Sequence, residues 1–460
     1  MADRFRKLVR CRLAVFTIWM LSALAVAAQQ PNSAELDIDT AKRLSLVFMA
    51  YGQHRAAHDV LTVLAARHPR DPEILITLSR AERALGQTEQ AISRARQAFD
   101  IAESQAHRHL AARVLAEALA SAGKHTRAQL WLRRAGQLAP TDAAKAAIRR
   151  DYAYVRSRNP WAFSVRGGIS PTDNANNAPT SNQIEIGGII FVNPAAQPIS
   201  GTEYHFGGTV TYRFPATVTA QKEITVAYDG RRTRLGSEAS SIDPGLSNSD
   251  FSADRLTFGW QGRFRPAGRQ TVSDIGTRLF FDWNGGNRSQ TGLALEAGLR
   301  FPLGDQQRLR LRGRLEHLDR LDNALRTSTT TEVGVEWSFP VGGKDFLRVD
   351  LSVADSASDS AAVARATNRL RATYALGQPI LNAHIAFSAD FRQSLFDRPL
   401  FGPERREDSA IGLSATATFA QMDVFGFAPV VELRRERVQS NISAFDTLAT
   451  QLSFSFRSTY

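Results

Sequence analysis

Residues 306–320, QQRLRLRGRLEHLDR, place Arg308, Arg310, Arg312, Arg314 and Glu316 on one parity and Leu309, Leu311 and Leu315 on the other. Successive side chains of a β-strand point to opposite faces, so this segment builds a strand with one charged face and one apolar face. The same period recurs elsewhere after Pro160. Ile224, Val226 and Tyr228 alternate with Glu223, Thr225, Ala227 and Asp229, and Leu347, Val349, Leu351 and Val353 with Arg348, Asp350 and Ser352. Near the end, Leu448, Leu452, Phe454, Phe456 and Tyr460 share one parity. A sheet of such strands has two faces that meet different surroundings, and that constrains the fold more than any other feature.

About fourteen strands are predicted, near 161–170, 202–214, 218–230, 252–265, 271–284, 289–302, 307–318, 327–340, 346–356, 363–376, 380–393, 408–420, 424–437 and 446–459. The stretch IEIGGIIFV (184–192) reads either as another strand or as a hairpin within the first long connection. One set of connections is tight and rich in Pro and Gly: FPAT, RPAGRQ, PLGDQQ, PVGGKD and LGQP. The other set, at 171–201, 231–251, 394–407 and 438–445, is longer and polar. Outer-membrane barrels alternate short periplasmic turns with longer outer loops in this way, and an even strand count returns both barrel ends to the periplasmic side.

The N-terminus supplies the export signal such a barrel needs. MADRFRKLVRCR is basic, LAVFTIWMLSALAVAA is apolar, and Val26-Ala27-Ala28 offers small residues before Gln29, so residues 1–28 read as a secretory signal peptide. That segment carries five basic residues against Asp3, and its removal lowers the chain's net charge from +12 to about +8. Cys11, the only cysteine, leaves with it. The mature chain is then expected to hold no disulfide, no thiolate metal site and no cysteine nucleophile. No later window supplies the 18 or more apolar residues of a membrane-spanning helix, which leaves the closed β-barrel as the way to satisfy the backbone in lipid.

Residues 29–158 have a different texture. GQHRAAHDVLTVLAARHP from Gly52, GQTEQAISRARQAFDIAE from Gly86 and GKHTRAQLWLRRAGQLAP from Gly123 align with one another, each with Ala five residues after its Gly (Ala57, Ala91, Ala128). Leu44, Leu78 and Leu115 each lie eight residues before the Gly. Gly permits a tight turn between two helices, and the small Ala lets the second lie close to the first. The pattern resembles the tetratricopeptide repeat over roughly residues 36–140, closed by TDAAKAAIRRDYAYVRS before Asn159-Pro160. In such solenoids the first helix of each pair lines a concave face that receives partner segments. In that register Lys42, Leu46, Met49, Ile76, Arg80, Arg83, Arg113 and Glu117 are the candidate client-binding residues. The alternative reading is an ordinary solvated face.

The final segment, GFAPVVELRRERVQSNISAFDTLATQLSFSFRSTY, combines Gly426 and Pro429, a charged strand end, Ser440-Asn441-Ile442, Phe445 in the loop and a last alternating strand. These features resemble the barrel of the surface lipoprotein assembly modifiers, as do RRED (405–408) and GISPTDNANNAP (168–179). The resemblance covers repeats and barrel together. It departs at Val430, where the family usually has Arg, and at the Arg457-Ser-Thr-Tyr460 ending, where the family tends to end on Phe soon after a basic residue.

The resemblance implies an outer-membrane translocon whose periplasmic repeats capture a lipoprotein or secreted client and whose barrel, residues 159–460, passes it to the cell surface. The fold expected is therefore α plus transmembrane β: a helical solenoid followed by a barrel of about fourteen antiparallel strands. Its partners would be the client, outer-membrane lipid and the barrel insertion machinery, with no nucleic acid and no obligate second copy. Arg308, Arg310, Arg312, Arg314, Glu316, Arg348, Asp350, Glu432, Arg434 and Glu436 are expected to line the lumen. Pairing buried charges in the wall is the other use such residues have.

Neither an enzyme nor a cofactor is expected. His54 and His58 are four apart but lack a third ligand at metal-site spacing, and His107 and His109 point to different helix faces. No Gly-x-Ser-x-Gly or phosphate-cradling glycine loop occurs. Basic residues interleave with acidic and apolar ones, which is unlike a nucleic-acid-binding helix. Two rivals remain: a polysaccharide exporter, which calls for many more repeats and a larger barrel, and a diffusion porin with a repeat scaffold.

Overall fold

The structure is a computed structural model that describes residues 37–186, 189–193, 196–400 and 403–458. The signal segment, Cys11 and Tyr460 lie outside the described residues. The chain divides into two compact units, one ending at Glu103 and the other beginning at Ser104.

The described part of the first unit is four helices: α1 (Ile38–Ala50), α2 (His54–Arg67), α3 (Pro72–Ala84) and α4 (Thr88–Ile101). Gly52 and Gly86 take left-handed backbone at φ +72° and +81°, which ends α1 and α3 and turns the chain into the next helix. Asp71 caps α3, accepting from the backbone N–H of Glu73 at 2.9 Å, and Pro72 fills the first turn where no N–H is needed. Ala41, Ala57, Leu61, Leu64, Ile74, Leu78 and Ala81 form the core, and Ala57 and Ala91 are fully buried. Lys42 joins α1 to the start of α3 through Asp71 at 2.6 Å and Glu73 at 3.2 Å.

Glu82, on α3, is 3 % exposed. Arg94 lies 3.5 Å from one carboxylate oxygen, and the other has no hydrogen-bond partner. Burial therefore holds the Glu82 carboxyl above its ordinary value, against the pull of Arg94 and His58. The folded chain then keeps a proton that the unfolded chain has lost, so stability falls as pH rises from the ordinary carboxylate value through the folded one, and then levels off. Glu82→Gln is expected to remove that slope and to stabilise the helices by about 1 kcal/mol at neutral pH. Melting curves of the full-length protein, followed by far-ultraviolet ellipticity from acidic to neutral pH, give the comparison. An unchanged slope would show that Glu82 does not titrate there.

The second unit opens with α5 (Gln105–Ser121), α6 (His125–Gln137) and α7 (Asp142–Arg158). Ser104 and Thr141 cap α5 and α7 through the N–H groups of His107 and Ala144, both at 3.1 Å. Gly123 turns between α5 and α6 at φ +73°. Val114, Leu115, Leu119, Leu132 and Ile148 are enclosed between these helices. Asn159 carries the chain onward: its side chain donates to Thr126 and Gln129, and accepts from the N–H of Trp161 at 3.0 Å.

The wall begins with β1 (Trp161–Thr172), followed by a separate hairpin of β2 (Gln183–Ile186) and β3 (Ile189–Val192). It continues through β4 (Gly201–Arg213), β5 (Ala220–Leu235), β6 (Ala253–Phe264), β7 (Val272–Asn284), β8 (Asn287–Leu303) and β9 (Gln307–Arg320). The remaining strands are β10 (Ser328–Val341), β11 (Asp345–Ser358), β12 (Arg365–Ala375), β13 (His384–Pro399), β14 (Arg405–Thr418), β15 (Phe427–Ser440) and β16 (Thr447–Ser458). β2 and β3 pair only with each other, so IEIGGIIFV is a hairpin in the first long connection. The other fourteen strands form one antiparallel sheet that closes where β1 meets β16, with Gly168 opposite Ser455 and Ile169 opposite Phe454.

Fourteen is even, so α7 enters the wall and β16 ends at the same rim. That helix-side rim carries the Pro- and Gly-rich turns, and the opposite rim carries the long connections at 173–200 and 236–252. The opposite rim is not uniformly long: β7 and β8 are joined by Gly285 and Gly286 alone, both at positive φ. RRED lies inside β14, which starts three residues before the expected residue 408. A strand end with polar residues on both parities offers no alternation to read.

Ile224, Leu293, Leu311, Leu351, Phe391, Leu413 and Phe454, spread around the wall, point outward and are 38–59 % exposed. Aromatic side chains gather toward the helix-side rim: Trp161 packs edge-on against Tyr212 at 4.9 Å, and Trp337 lies 4.2 Å from Phe339. Among the described residues no helix is long and apolar enough to cross a membrane. An apolar band circling a closed sheet is what hydrocarbon demands of a spanning β-structure, so the sheet of the second unit is an outer-membrane-type barrel.

Candidate functional site

Strand register brings the inward residues into rows. Arg310 stands between Arg300 and Glu336, Arg312 between Gly298 and Gly334, and Arg314 between Glu296 and Glu332. All ten lumen residues expected from the sequence lie on this face, because they share its parity in β9, β11 and β15. Arg312 binds both Asp350 and Glu332, Arg314 pairs with Glu316, and Arg434 reaches Glu436 at 2.6 Å. Arg348 lies 3.8 Å from Glu336. Glu432 sits in a row with Thr416 and Ser453, and Arg308 lies exposed at the helix-side rim.

Some ion pairs of the inner face skip a strand, and a glycine stands at the crossing. Asp274 on β7 faces Gly298 on β8 and passes over it to Arg310 on β9 at 3.2 Å. A Cβ at Gly298 would sit 2.7 Å from that carboxylate. Arg312 on β9 crosses Gly334 on β10 to reach Asp350 on β11, where an added Cβ would lie 2.9 Å from the guanidinium. Arg166 and Asp229 do the same over Gly207. The glycines leave gaps in the inner surface through which long side chains meet, knitting alternate strands together.

Among the lumen arginines not expected from the sequence, three share one strand. β12 carries Arg365, Arg369 and Arg371 on the inner face, and Asp390 answers Arg369 at 2.7 Å and Arg371 at 3.0 Å. The alternation in RATNRLR was the available signal.

The helices make their own contact with the barrel. Arg133 of α6 donates to the carbonyls of Phe425 and Gly426, at 3.0 and 3.2 Å, and to the hydroxyls of Ser458 and Tyr152, at 3.0 and 3.2 Å. Its guanidinium also lies over the rings of Tyr152 and Phe427. Phe425 has φ +50°, a strained conformation for a bulky residue, and Gly426 follows at +78°. Lys145 of α7 binds Asp423 at 2.6 Å, and the Phe425 N–H donates to Gln137. The turn from β14 to β15 and the end of β16 are thereby fastened to α6 and α7. Helical periodicity alone does not say which face of α6 meets a barrel.

The expected client-binding residues are distributed less evenly. On α1, Leu46 is exposed, Met49 packs against the core, and Lys42 is held by Asp71 and Glu73. On α3, Arg80 and Arg83 are half-buried. Ile76 is a correction: at 3 % exposure it presents no surface to a partner, because every residue from Ile74 to Ser79 is enclosed. In the second unit, Arg113 binds Asp151 at 3.0 Å and Glu117 at 3.4 Å, tying α5 to α7. Among the described residues no three His, Cys, Asp or Glu gather as metal ligands would.

No family model matches the sequence, and no curated protein matches it. Several solved structures do. The Yersinia enterocolitica type III secretion translocator chaperone SycD is 18 % identical over 27 % of this chain and 88 % of its own, at a TM-score of 0.24. The COG4313 outer membrane channel from Pseudomonas putida F1 is 11 % identical over 63 % of this chain and 94 % of its own, at 0.31. Acinetobacter baumannii OccAB4 is 6 % identical over 65 % and 98 %, at 0.34. Likeness this distant leaves the fold resting on the barrel's own register.

Proposed function

We propose that this chain is an outer-membrane translocon of the surface lipoprotein assembly modifier type. Its helices capture a lipoprotein or secreted client in the periplasm, and its barrel passes the client to the cell surface or helps it insert there. No bond is made or broken and no cofactor takes part. The protein acts as a single copy among outer-membrane lipids, placed there by the barrel insertion machinery.

The observation that carries this reading is the fastening of α6 and α7 to the rim through Arg133 and Lys145. Helices α5–α7, held at the mouth of a closed, charged lumen, keep a segment bound to them beside that lumen without a free diffusion step. A porin that only admits small solutes has no use for such a mount.

Candidate clients are co-expressed with the wild-type chain, with no chain, and with an Arg133→Ala, Lys145→Ala double variant, and intact cells are then treated with protease. Client exposure is expected in the first case and largely lost in the other two, while the variant barrel remains in the membrane. Equal exposure with and without the chain would contradict the reading. Rapid uptake of small sugars by liposomes containing the protein would favour the porin instead.

A further inference from the structure

Within the paired length of the strands, three lumen-facing arginines have no carboxylate within 4 Å among the described residues: Arg308, Arg457 and Arg365. Arg308 and Arg457 are exposed at the helix-side rim, where water solvates them. Arg365 is different. It begins β12 at the opposite end of the lumen, is half-buried, and among the described residues forms no ion pair or side-chain hydrogen bond.

Its surroundings raise the positive charge further. Arg365 and Arg406 stand on either side of Phe396, with guanidinium carbons 5.5 and 4.5 Å from the ring centroid, and Phe396 is 4 % exposed. Asp408 answers Arg406 with two hydrogen bonds, and Glu436 answers Arg392 at 3.3 Å. These two carboxylates are therefore committed. One inner-face position along β12, Thr367 faces Ser394, and their hydroxyls lie 3.4 Å apart.

An uncompensated, half-desolvated guanidinium beside two other arginines is costly, and evolution has the wall's own remedy, a carboxylate, at the other inner arginines away from that rim. Stacking on Phe396 holds one face of the Arg365 fork and leaves its N–H edge for a planar or tetrahedral oxyanion. We propose that Arg365 is the centre of an oxyanion site at this end of the lumen, flanked by Arg392 and Arg406, which binds a phosphate, sulfate or carboxylate group. The site depends on the barrel alone and stands whether or not a client passes through it.

The test uses the full-length protein in detergent micelles, with thermal unfolding followed by tryptophan fluorescence. Sodium sulfate, sodium phosphate and a hexaglutamate peptide are titrated separately, with chloride holding the ionic strength constant. Wild-type protein is expected to show a saturable rise in unfolding temperature. Arg365→Gln should raise the half-saturating concentration at least tenfold, and Arg365→Lys, which keeps the charge and loses the fork, should fall between. Arg308→Gln should match wild type. A stronger response to hexaglutamate identifies polypeptide carboxylates as the source, and a response to the inorganic ions alone identifies a free anion; either outcome supports the site. No saturable rise with any probe, or a rise unchanged in both Arg365 variants, would overturn it.

Discussion

Asp274→Ala is expected to lower the unfolding free energy of the barrel by about 2–3 kcal/mol, more than any other single change to a lumen carboxylate. Asp274 is 4 % exposed and lies 3.2 Å from both Arg300 and Arg310. Those two arginines stand directly opposite each other on β8 and β9, so the carboxylate separates like charges as well as pairing with each. Removing it leaves two cations facing one another in a partly desolvated wall. Both arginines keep some access to lumen water, which holds the loss below that of a fully buried pair. Urea unfolding of the protein in lipid bilayers measures the difference. A second prediction follows from the crossing geometry: Gly298→Val should reproduce much of the loss with every charge retained, since its Cβ would occupy the carboxylate's path.

Leu311→Arg is expected to cost about 2–4 kcal/mol and to reduce the amount of protein assembled in the membrane. Leu311 lies near the middle of β9 on the outward face, between Leu299 and Val335. In water an arginine there would be harmless, because the leucine is already 38 % exposed. In hydrocarbon the same arginine has no partner and little reach to a headgroup. Leu321→Arg is the control: Leu321 is 49 % exposed but lies in the turn after β9, where the expected change is small. Similar assembly of both variants would mean that the outer face does not meet lipid.

The wall is legible in the sequence because period two is a local property. Leu309, Leu311 and Leu315 declare the outward face of β9 without reference to any other strand, and its expected start at residue 307 is where the strand begins. Pairing between strands is not local. That Gly298 faces Asp274, or that Arg365 goes unanswered among the described residues well inside the lumen, depends on register between residues far apart in the chain. Gly298 reads in the sequence as a weakness in β8, whereas in the wall it is the opening for an ion pair. Helical spacing likewise marks α3 as amphipathic, but its position among neighbouring helices encloses Ile76 together with the residues on either side. Arg133 looks like one more basic residue on α6 until the β14–β15 turn meets it.

The central claim is that residues 161–458 close into a cylinder with lipid outside and paired charges within. Gel mobility with and without boiling tests it most directly, using protein taken from the outer-membrane fraction. A closed sheet with every strand paired resists detergent until heated, so the unboiled protein should run as a compact, faster band that shifts on boiling. Protein recovered among soluble periplasmic contents, with one mobility under both conditions, would contradict the claim.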